Sequence, residues 1–151
     1  DYLFFDLLLA SLAEEYCLDM DEIYVVGHSL GAWFGNSLSC APGDVIRGSA
    51  TLGGDTTMSE CTGPVASMVM HNPDDNLAAF SGGVRARDLH LTHPSAPPEL
   101  LCVRYMSCVD HHPVIWCPHE IDMSYWDNTY YPHVWPRDTG KYIMEFFRSL
   151  E

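Results

Sequence analysis

The chain has 151 residues, of which 47% are hydrophobic and 12% aromatic, which is enough for one globular domain with a sizeable core. Acidic side chains outnumber basic ones by 21 to 7, and the formal net charge of −14 disfavours contact with phosphate backbones and anionic membranes. We therefore expect neither a nucleic-acid partner nor a membrane partner. No apolar run reaches the roughly 18 residues of a membrane-spanning helix.

Short apolar stretches with strand character alternate with helical stretches along most of the chain. The first stretch predicts a helix whose apolar face is too broad for a solvated surface helix. The predicted elements in chain order are a helix over 2–16, a buried strand over 22–26, a helix from 29 to about 40, a turn at 41–44, strands over 45–52 and 65–70, a helix over 84–91 after a break at 81–83, a loop at 92–99, strands over 101–107 and 113–117, an aromatic loop over 118–136, and a helix over 139–150 capped by Asp138. This alternation predicts an α/β fold with a mostly parallel sheet and helices on both faces.

A Gly-X-Ser-X-Gly motif lies between the second and third of these elements. It is the context of a nucleophile elbow, in which a tight turn holds a serine above the N-terminus of the following helix. Gly27 and Gly31 are expected to keep Cβ atoms away from the point where strand and helix crowd together. Ser29 is the predicted nucleophile, and the backbone N–H of Leu30 is the predicted oxyanion donor. The His28 side chain is expected to point away from the serine hydroxyl.

An acid and a histidine follow the serine in the chain order of an α/β-hydrolase. Asp74 and Asp75 come after the strand predicted over 65–70, and His133 lies in the loop before the final helix. His133 is expected to take the serine proton and to deliver it to the leaving alcohol, while the aspartate holds the imidazole tautomer. An Asp-Asp pair after proline is also typical of turns, so the residues alone leave both carboxylates open.

The remaining histidines and the cysteines give weaker signals. His71 ends a strand and is placed to support the acid loop. His111 and His112 are adjacent, and neighbouring side chains on a strand point to opposite faces, so we expect no metal site there. Nothing in the sequence indicates a cofactor, and we expect none. Six cysteines without a Cys-X-X-Cys pair favour disulfides, and hence secretion, over a zinc site, but their order leaves 15 pairings open.

Several segments resemble those of secreted α/β-hydrolase esterases of the feruloyl esterase and polyhydroxybutyrate-depolymerase-like group (carbohydrate esterase family one). The matching segments are Tyr24-Val25-Val26-Gly27-His28-Ser29-Leu30-Gly31-Ala32, His71-Asn72-Pro73-Asp74-Asp75, Cys102-Val103-Arg104-Tyr105, Pro113-Val114-Ile115-Trp116-Cys117 and His133-Val134-Trp135-Pro136. The family usually has His-Gly-X-X-Asp at the second segment, so the resemblance makes Asp75 the acid, with Asn72 in place of the glycine. Trp126, Tyr130, Tyr131 and Trp135 then become candidates for substrate binding, or they cover the core.

The resemblance implies that residues 1–151 form the carboxyl-terminal portion of a single α/β-hydrolase catalytic domain. It implies a secreted, monomeric serine esterase of xylan degradation that acts on plant cell-wall polysaccharide esters, preferably feruloyl esters of arabinoxylan. The first strands of that fold and a second oxyanion donor are expected upstream, so the chain is expected to be a fragment of a longer protein. The alternatives are an acetyl-xylan esterase, a polyhydroxyalkanoate depolymerase, or a carbohydrate-binding relative without turnover.

The positions of the cysteines relative to the strands and helices expected from this resemblance suggest two disulfides. Cys17 and Cys40 are both expected at the bottom of the sheet, and Cys108 and Cys117 are expected to join a hairpin. Cys61 and Cys102 are then left to pair with each other or with residues of the missing segment.

Overall fold

The fold is built on four helices and five short strands that alternate along the part of the chain that the structure describes. A computed structural model describes residues 1–41, 45–91, 102–105, 109, 111–120 and 129–151. The elements are α1 (Tyr2–Glu15), β1 (Tyr24–His28), α2 (Leu30–Leu38), β2 (Gly48–Leu52), β3 (Ala66–His71), α3 (Phe80–Leu89), β4 (Val103–Tyr105), β5 (Val114–Pro118) and α4 (Thr139–Arg148).

The five strands form one sheet in the order β1-β2-β3-β5-β4. The first four run parallel, and β4 pairs antiparallel with β5 at the far edge. The expected α/β architecture with a mostly parallel sheet is confirmed. Because parallel strands end at the same edge, the loops after β1, β2 and β3 meet at one end of the sheet.

Helices cover both faces of the sheet. Successive side chains of a strand point to opposite sides, so neighbouring residues of one strand pack against different helices. Met68 of β3 packs with Phe147 of α4 on one face. Val69, the next residue of β3, packs with Ala86 of α3 on the other face. Helix α2 lies on the α3 side, where Gly35 is close to the side chain of Thr51. This two-sided packing buries every residue of β2 and β3.

The structure differs from the sequence expectations at the first helix and the first strand. β1 is an edge strand of the described sheet rather than a buried strand, and Val26 is 53% exposed. Helix α1 has no buried residue, and Leu3 and Phe4 are each 69% exposed. Phe5 is partly buried against a small cluster with Leu38 of α2, so the helix is attached along one narrow side. None of the described helices has the length and apolar character needed to cross a bilayer.

One helix start and one helix cap also depart from the expectations. Helix α3 begins at Phe80 and runs through the glycines that predicted a break. A Cβ atom on Gly83 would lie 2.4 Å from Nδ1 of His71, so this glycine serves the close approach of helix and strand. Asp138 stands at the N-cap position of α4, as expected, but its side chain makes no capping hydrogen bond.

Both predicted disulfide pairings are wrong. Cys40 pairs with Cys61, and Cys17 is exposed with a free thiol. The loop after β2 returns to the end of α2, and this brings the Cα atoms of Cys40 and Cys61 within 4.3 Å. Cys117 pairs with Cys102, because the antiparallel register of β4 and β5 places these two residues opposite each other. Cys108 lies outside the described residues.

Candidate active site

Ser29 occupies a sharp turn between β1 and α2. Its backbone has φ 55° and ψ −122°, a conformation that is unusual for a residue with a side chain. Two backbone hydrogen bonds hold the turn: the Ser29 N–H donates to the Leu52 carbonyl at 3.0 Å, and the Ser29 carbonyl accepts from the Trp33 N–H at 3.0 Å. The strained turn therefore fixes the serine at the carboxyl edge of the sheet, where the strand loops meet.

The two glycines of the Gly-X-Ser-X-Gly motif have different surroundings. A Cβ atom on Gly27 would lie 2.3 Å from the Gly31 carbonyl oxygen, so only glycine allows strand and helix to approach this closely. A Cβ atom on Gly31 would meet no atom within 4 Å, so the expectation of crowding was wrong at this position.

The side chains of Ser29, His133 and Asp75 form a continuous hydrogen-bonded chain. Oδ2 of Asp75 is 2.6 Å from Nδ1 of His133, and Nε2 of His133 is 2.9 Å from Oγ of Ser29. A carboxylate only accepts, so Nδ1 carries the proton and donates it to Asp75. Nε2 is then left as the acceptor of the serine O–H. The arrangement is one in which a serine can lose its proton to an imidazole.

Asp75 is held in its ionised form. It is buried, which by itself raises the pKa of a carboxyl group, but hydrogen bonds from the Ala78 N–H, the His133 ring and the Leu77 N–H outweigh burial and bring the pKa of Asp75 below its ordinary value. Both N–H groups donate to Oδ1 at 2.9 Å. Oδ2 accepts from His133, and Nε2 of His71 lies 3.5 Å from the same oxygen.

The neighbouring side chains separate the two candidate acids. Asp74 is exposed, and its Oδ2 accepts a hydrogen bond from the Tyr130 hydroxyl at 3.2 Å. His71 lies under the acid loop, where its Nε2–H donates to the Ala78 carbonyl at 2.8 Å. Burial lowers the pKa of His71, so the ring is neutral, and its hydrogen bond supports the loop that contains Asp75.

Leu30, the predicted oxyanion donor, directly follows Ser29 in the chain. It begins α2, so its backbone N–H lies among the first-turn donors that have no acceptor within the helix. Its side chain is 80% exposed next to the serine.

The aromatic candidates fall into three groups. Tyr131 is 42% exposed and stands edge-on to the His133 ring, with ring centroids 6.5 Å apart. Tyr130 is 49% exposed, and its hydroxyl also accepts from Nδ2 of Asn72 at 3.2 Å. Trp135 is half-buried and packs against the core cluster, while Trp126 lies outside the described residues. Their roles in substrate binding stay predictions.

Gly53 is a site residue that the sequence reasoning missed. It follows β2 with φ 61°, and a Cβ atom there would lie 3.1 Å from Nδ1 and Cε1 of His133 and 3.3 Å from Oδ2 of Asp75. Its backbone therefore forms a wall against the pair. The signal was a Gly-Gly step at the end of a strand, which indicated only a strand end.

A metal ion finds little support in the described part of the chain. Cys40, Cys61 and His90 have ligand atoms within 4.8 Å of one another. The two sulfurs are joined in a disulfide, so they are not thiolates that could hold an ion.

Curated relatives, among them three fungal proteins, resemble the chain at low identity, and no protein-family model matches it. Feruloyl esterase D of Neurospora crassa is 26% identical over 133 residues, which cover 79% of this chain and 46% of the relative. A probable feruloyl esterase C of Aspergillus niger is 26% identical over 65% of the chain and 37% of its own length. The protein of the same name from Aspergillus clavatus is 28% identical over 56% of the chain and 32% of its own length. The chain spans less than half the length of each relative, and it is a distant relative of fungal proteins named feruloyl esterase.

Proposed function

We propose that the chain is part of a serine carboxylic-ester hydrolase with an α/β-hydrolase fold, in which residues 1–151 belong to a single catalytic domain. The observation that carries the proposal is the hydrogen-bonded chain from Ser29 through His133 to Asp75, at 2.9 and 2.6 Å. The strained serine turn at the start of a helix and the distant relationship to feruloyl esterases support it.

The reaction follows from the protons that these groups hold. Ser29 Oγ attacks the ester carbonyl as its proton passes to Nε2 of His133, and the N–H of Leu30 stabilises the oxyanion. Ionised Asp75 stabilises the imidazolium that forms. His133 then gives the proton to the leaving alcohol, and an acyl group remains on Ser29. Water, deprotonated by the same imidazole, releases the acid and restores the serine.

The substrate that we propose is a feruloyl ester of plant cell-wall polysaccharide, most directly arabinoxylan. The names of the relatives support an aromatic acid, and Tyr131 presents an exposed ring beside His133 on which such a group can stack. We further propose that the protein is secreted and acts as a monomer. The two disulfides support secretion, because disulfides persist in oxidising compartments.

The test is hydrolysis of methyl ferulate beside 4-nitrophenyl acetate, with Ser29→Ala as the control. A fluorophosphonate probe, which labels activated serines, is used in parallel. We expect turnover of methyl ferulate and labelling by the probe, and we expect both to be lost in the variant.

Each other outcome changes a defined part of the proposal. Turnover of the acetyl ester alone keeps the serine chemistry and moves the substrate to acetylated xylan or a polyhydroxyalkanoate. Absence of both Ser29-dependent turnover and probe labelling refutes the hydrolase and leaves a non-catalytic carbohydrate-binding relative.

A further inference from the structure

His28 precedes the serine in the chain and lies against His133 in space. It is the last residue of β1, and its ring centroid is 4.8 Å from that of His133, with 38° between the ring planes. The centroid of the same ring is 5.6 Å from that of the Trp135 ring. Trp135 is itself packed against the core cluster that contains Phe147. The His28 ring thus lies close both to His133 and to the core-packed Trp135.

The His28 ring is neutral where it meets His133. Burial, and then repulsion from His133, lower the pKa of His28, and a hydrogen bond with the His133 backbone and the charge of Asp75 do not fully offset them. Nε2 of His28 is buried without a hydrogen-bond partner. A neutral, half-buried ring leaves the positive charge of the acid–base step to His133 alone.

Hydrogen bonds alone do not fix the orientation of the His133 ring. One bond is made at Nδ1 and the other at Nε2, so together they define an axis through the ring. Tilting about that axis changes both bond angles while keeping both distances, and hydrogen bonds weaken as the angle departs from linear. A flat group against the face of the ring removes this freedom. The His28 ring lies against the His133 ring at 4.8 Å between centroids, and Gly53 lies close to Nδ1 and Cε1 of His133.

We propose that His28 is a positioning residue, which holds the His133 ring at the tilt that lets it bond Ser29 and Asp75 together. The proposal rests on the proposed function, because it concerns the orientation of the proposed acid–base group. His28 acts through ring packing and takes no proton in the reaction. The core-packed Trp135 provides its rigid backing.

The experiment compares His28→Ala, His28→Leu and His28→Phe by steady-state kinetics on methyl ferulate and 4-nitrophenyl acetate. The Nδ1 proton of His133 is followed in the same proteins as a low-field proton resonance. We expect His28→Ala to lower kcat by about 10- to 100-fold, since small displacements of reacting groups cost rates of this order, with KM changed less than about twofold. The resonance should broaden as the bonded proton becomes exposed to solvent. The flat ring of His28→Phe should restore most of kcat and a sharp resonance, and His28→Leu should not.

Controls keep the two proposals apart. Ser29→Ala tests the hydrolase itself: if it retains turnover, the proposed function fails whatever the His28 variants do. His111→Asn removes an exposed histidine before β5, at the opposite end of the sheet, and Asn tolerates the positive φ of that position. We expect wild-type kinetics from it.

The positioning role is overturned if Ser29-dependent turnover is intact and His28→Ala keeps wild-type kcat. It is also overturned if the Phe and Ala variants lose activity equally, because the imidazole itself would then be needed. If His28→Ala does not fold, the Leu and Phe variants decide. Equal kcat in those two refutes ring packing, and higher kcat in Phe supports it.

Discussion

Gly53→Ala places a methyl group against the proposed acid–base pair without removing any of its hydrogen bonds. The new Cβ would lie 3.1 Å from Nδ1 and Cε1 of His133, closer than the roughly 3.5–4.0 Å of ordinary contact. It would also lie 3.3 Å from Oδ2 of Asp75. The ring must therefore move by about half an ångström, and the backbone must keep φ near 61° with a side chain present.

Two separate magnitudes follow from this geometry. A left-handed backbone costs a non-glycine residue about 1–2 kcal/mol, so the free energy of unfolding should fall by that amount. A misplacement of 1 Å can cost about 100-fold in rate, so half that distance should lower kcat about tenfold. KM should change little, because the methyl group contacts the acid–base pair rather than Tyr131, the ring that we propose stacks on the substrate.

Steady-state kinetics and chemical denaturation of the same samples measure both effects. Gly140→Ala is the matched control: it lies in α4, where a Cβ meets no atom within 4 Å, and alanine should add up to about 1 kcal/mol of stability without changing kcat. Wild-type kcat in a folded Gly53→Ala protein would refute the view that His133 is held against this backbone. A tenfold loss that extends equally to Gly140→Ala would show that the assay follows folding instead.

Three further predictions concern charge and covalent links. Asp75→Asn should lower kcat by about 10⁴-fold at neutral pH, because an amide can hold the imidazole in the wrong tautomer; near-normal kinetics would exclude the carboxylate as its partner. Burial lowers the pKa of His90 from 6.5 to about 4, so the unfolded chain binds the extra proton and stability should fall as the pH drops from 6.5 to about 4, by up to about 1.4 kcal/mol per pH unit. His90→Phe should flatten that slope in denaturation curves, and an unchanged slope would assign it to other groups. Non-reducing peptide mapping should recover Cys40 with Cys61 and an alkylatable Cys17, and replacing the bonded pair by alanines should cost about 3 kcal/mol of unfolding free energy; a Cys17–Cys40 peptide would contradict the structure.

The sequence predicts the interior strands of the sheet well, because a strand that is buried on both faces has a short, mostly apolar sequence that can be recognised locally. β3 is apolar except for Ser67 and its last residue, His71, and it was expected over 65–70 and found at Ala66–His71. Helix α3 was less predictable. Its glycines indicate a break by propensity, but packing against His71 needs them, and tertiary contact overrides the local preference.

Disulfide pairing shows the limit more sharply. The six cysteines predict cross-links by number and context, but the partner of each depends on strand register and on the path of loops. Cys102 meets Cys117 because β4 runs antiparallel to β5, and residue spacing alone does not distinguish it from Cys108. The expectation correctly placed Cys40 in a disulfide, but its partner is Cys61 in the loop after β2 and not Cys17 before β1.

The same division explains the candidate site. Ser29, Asp75 and His133 were expected from a motif, a chain order and a resemblance, and the structure brings their side chains into one hydrogen-bonded chain. No motif or chain order indicates the roles of His28 and Gly53. Both depend on contact with His133, which is more than 50 positions away in the chain from either. Residues that exchange protons must be of particular chemical types, which a sequence displays. Residues that hold them in place need only the right shape at the right point in space, and only the fold reveals that point.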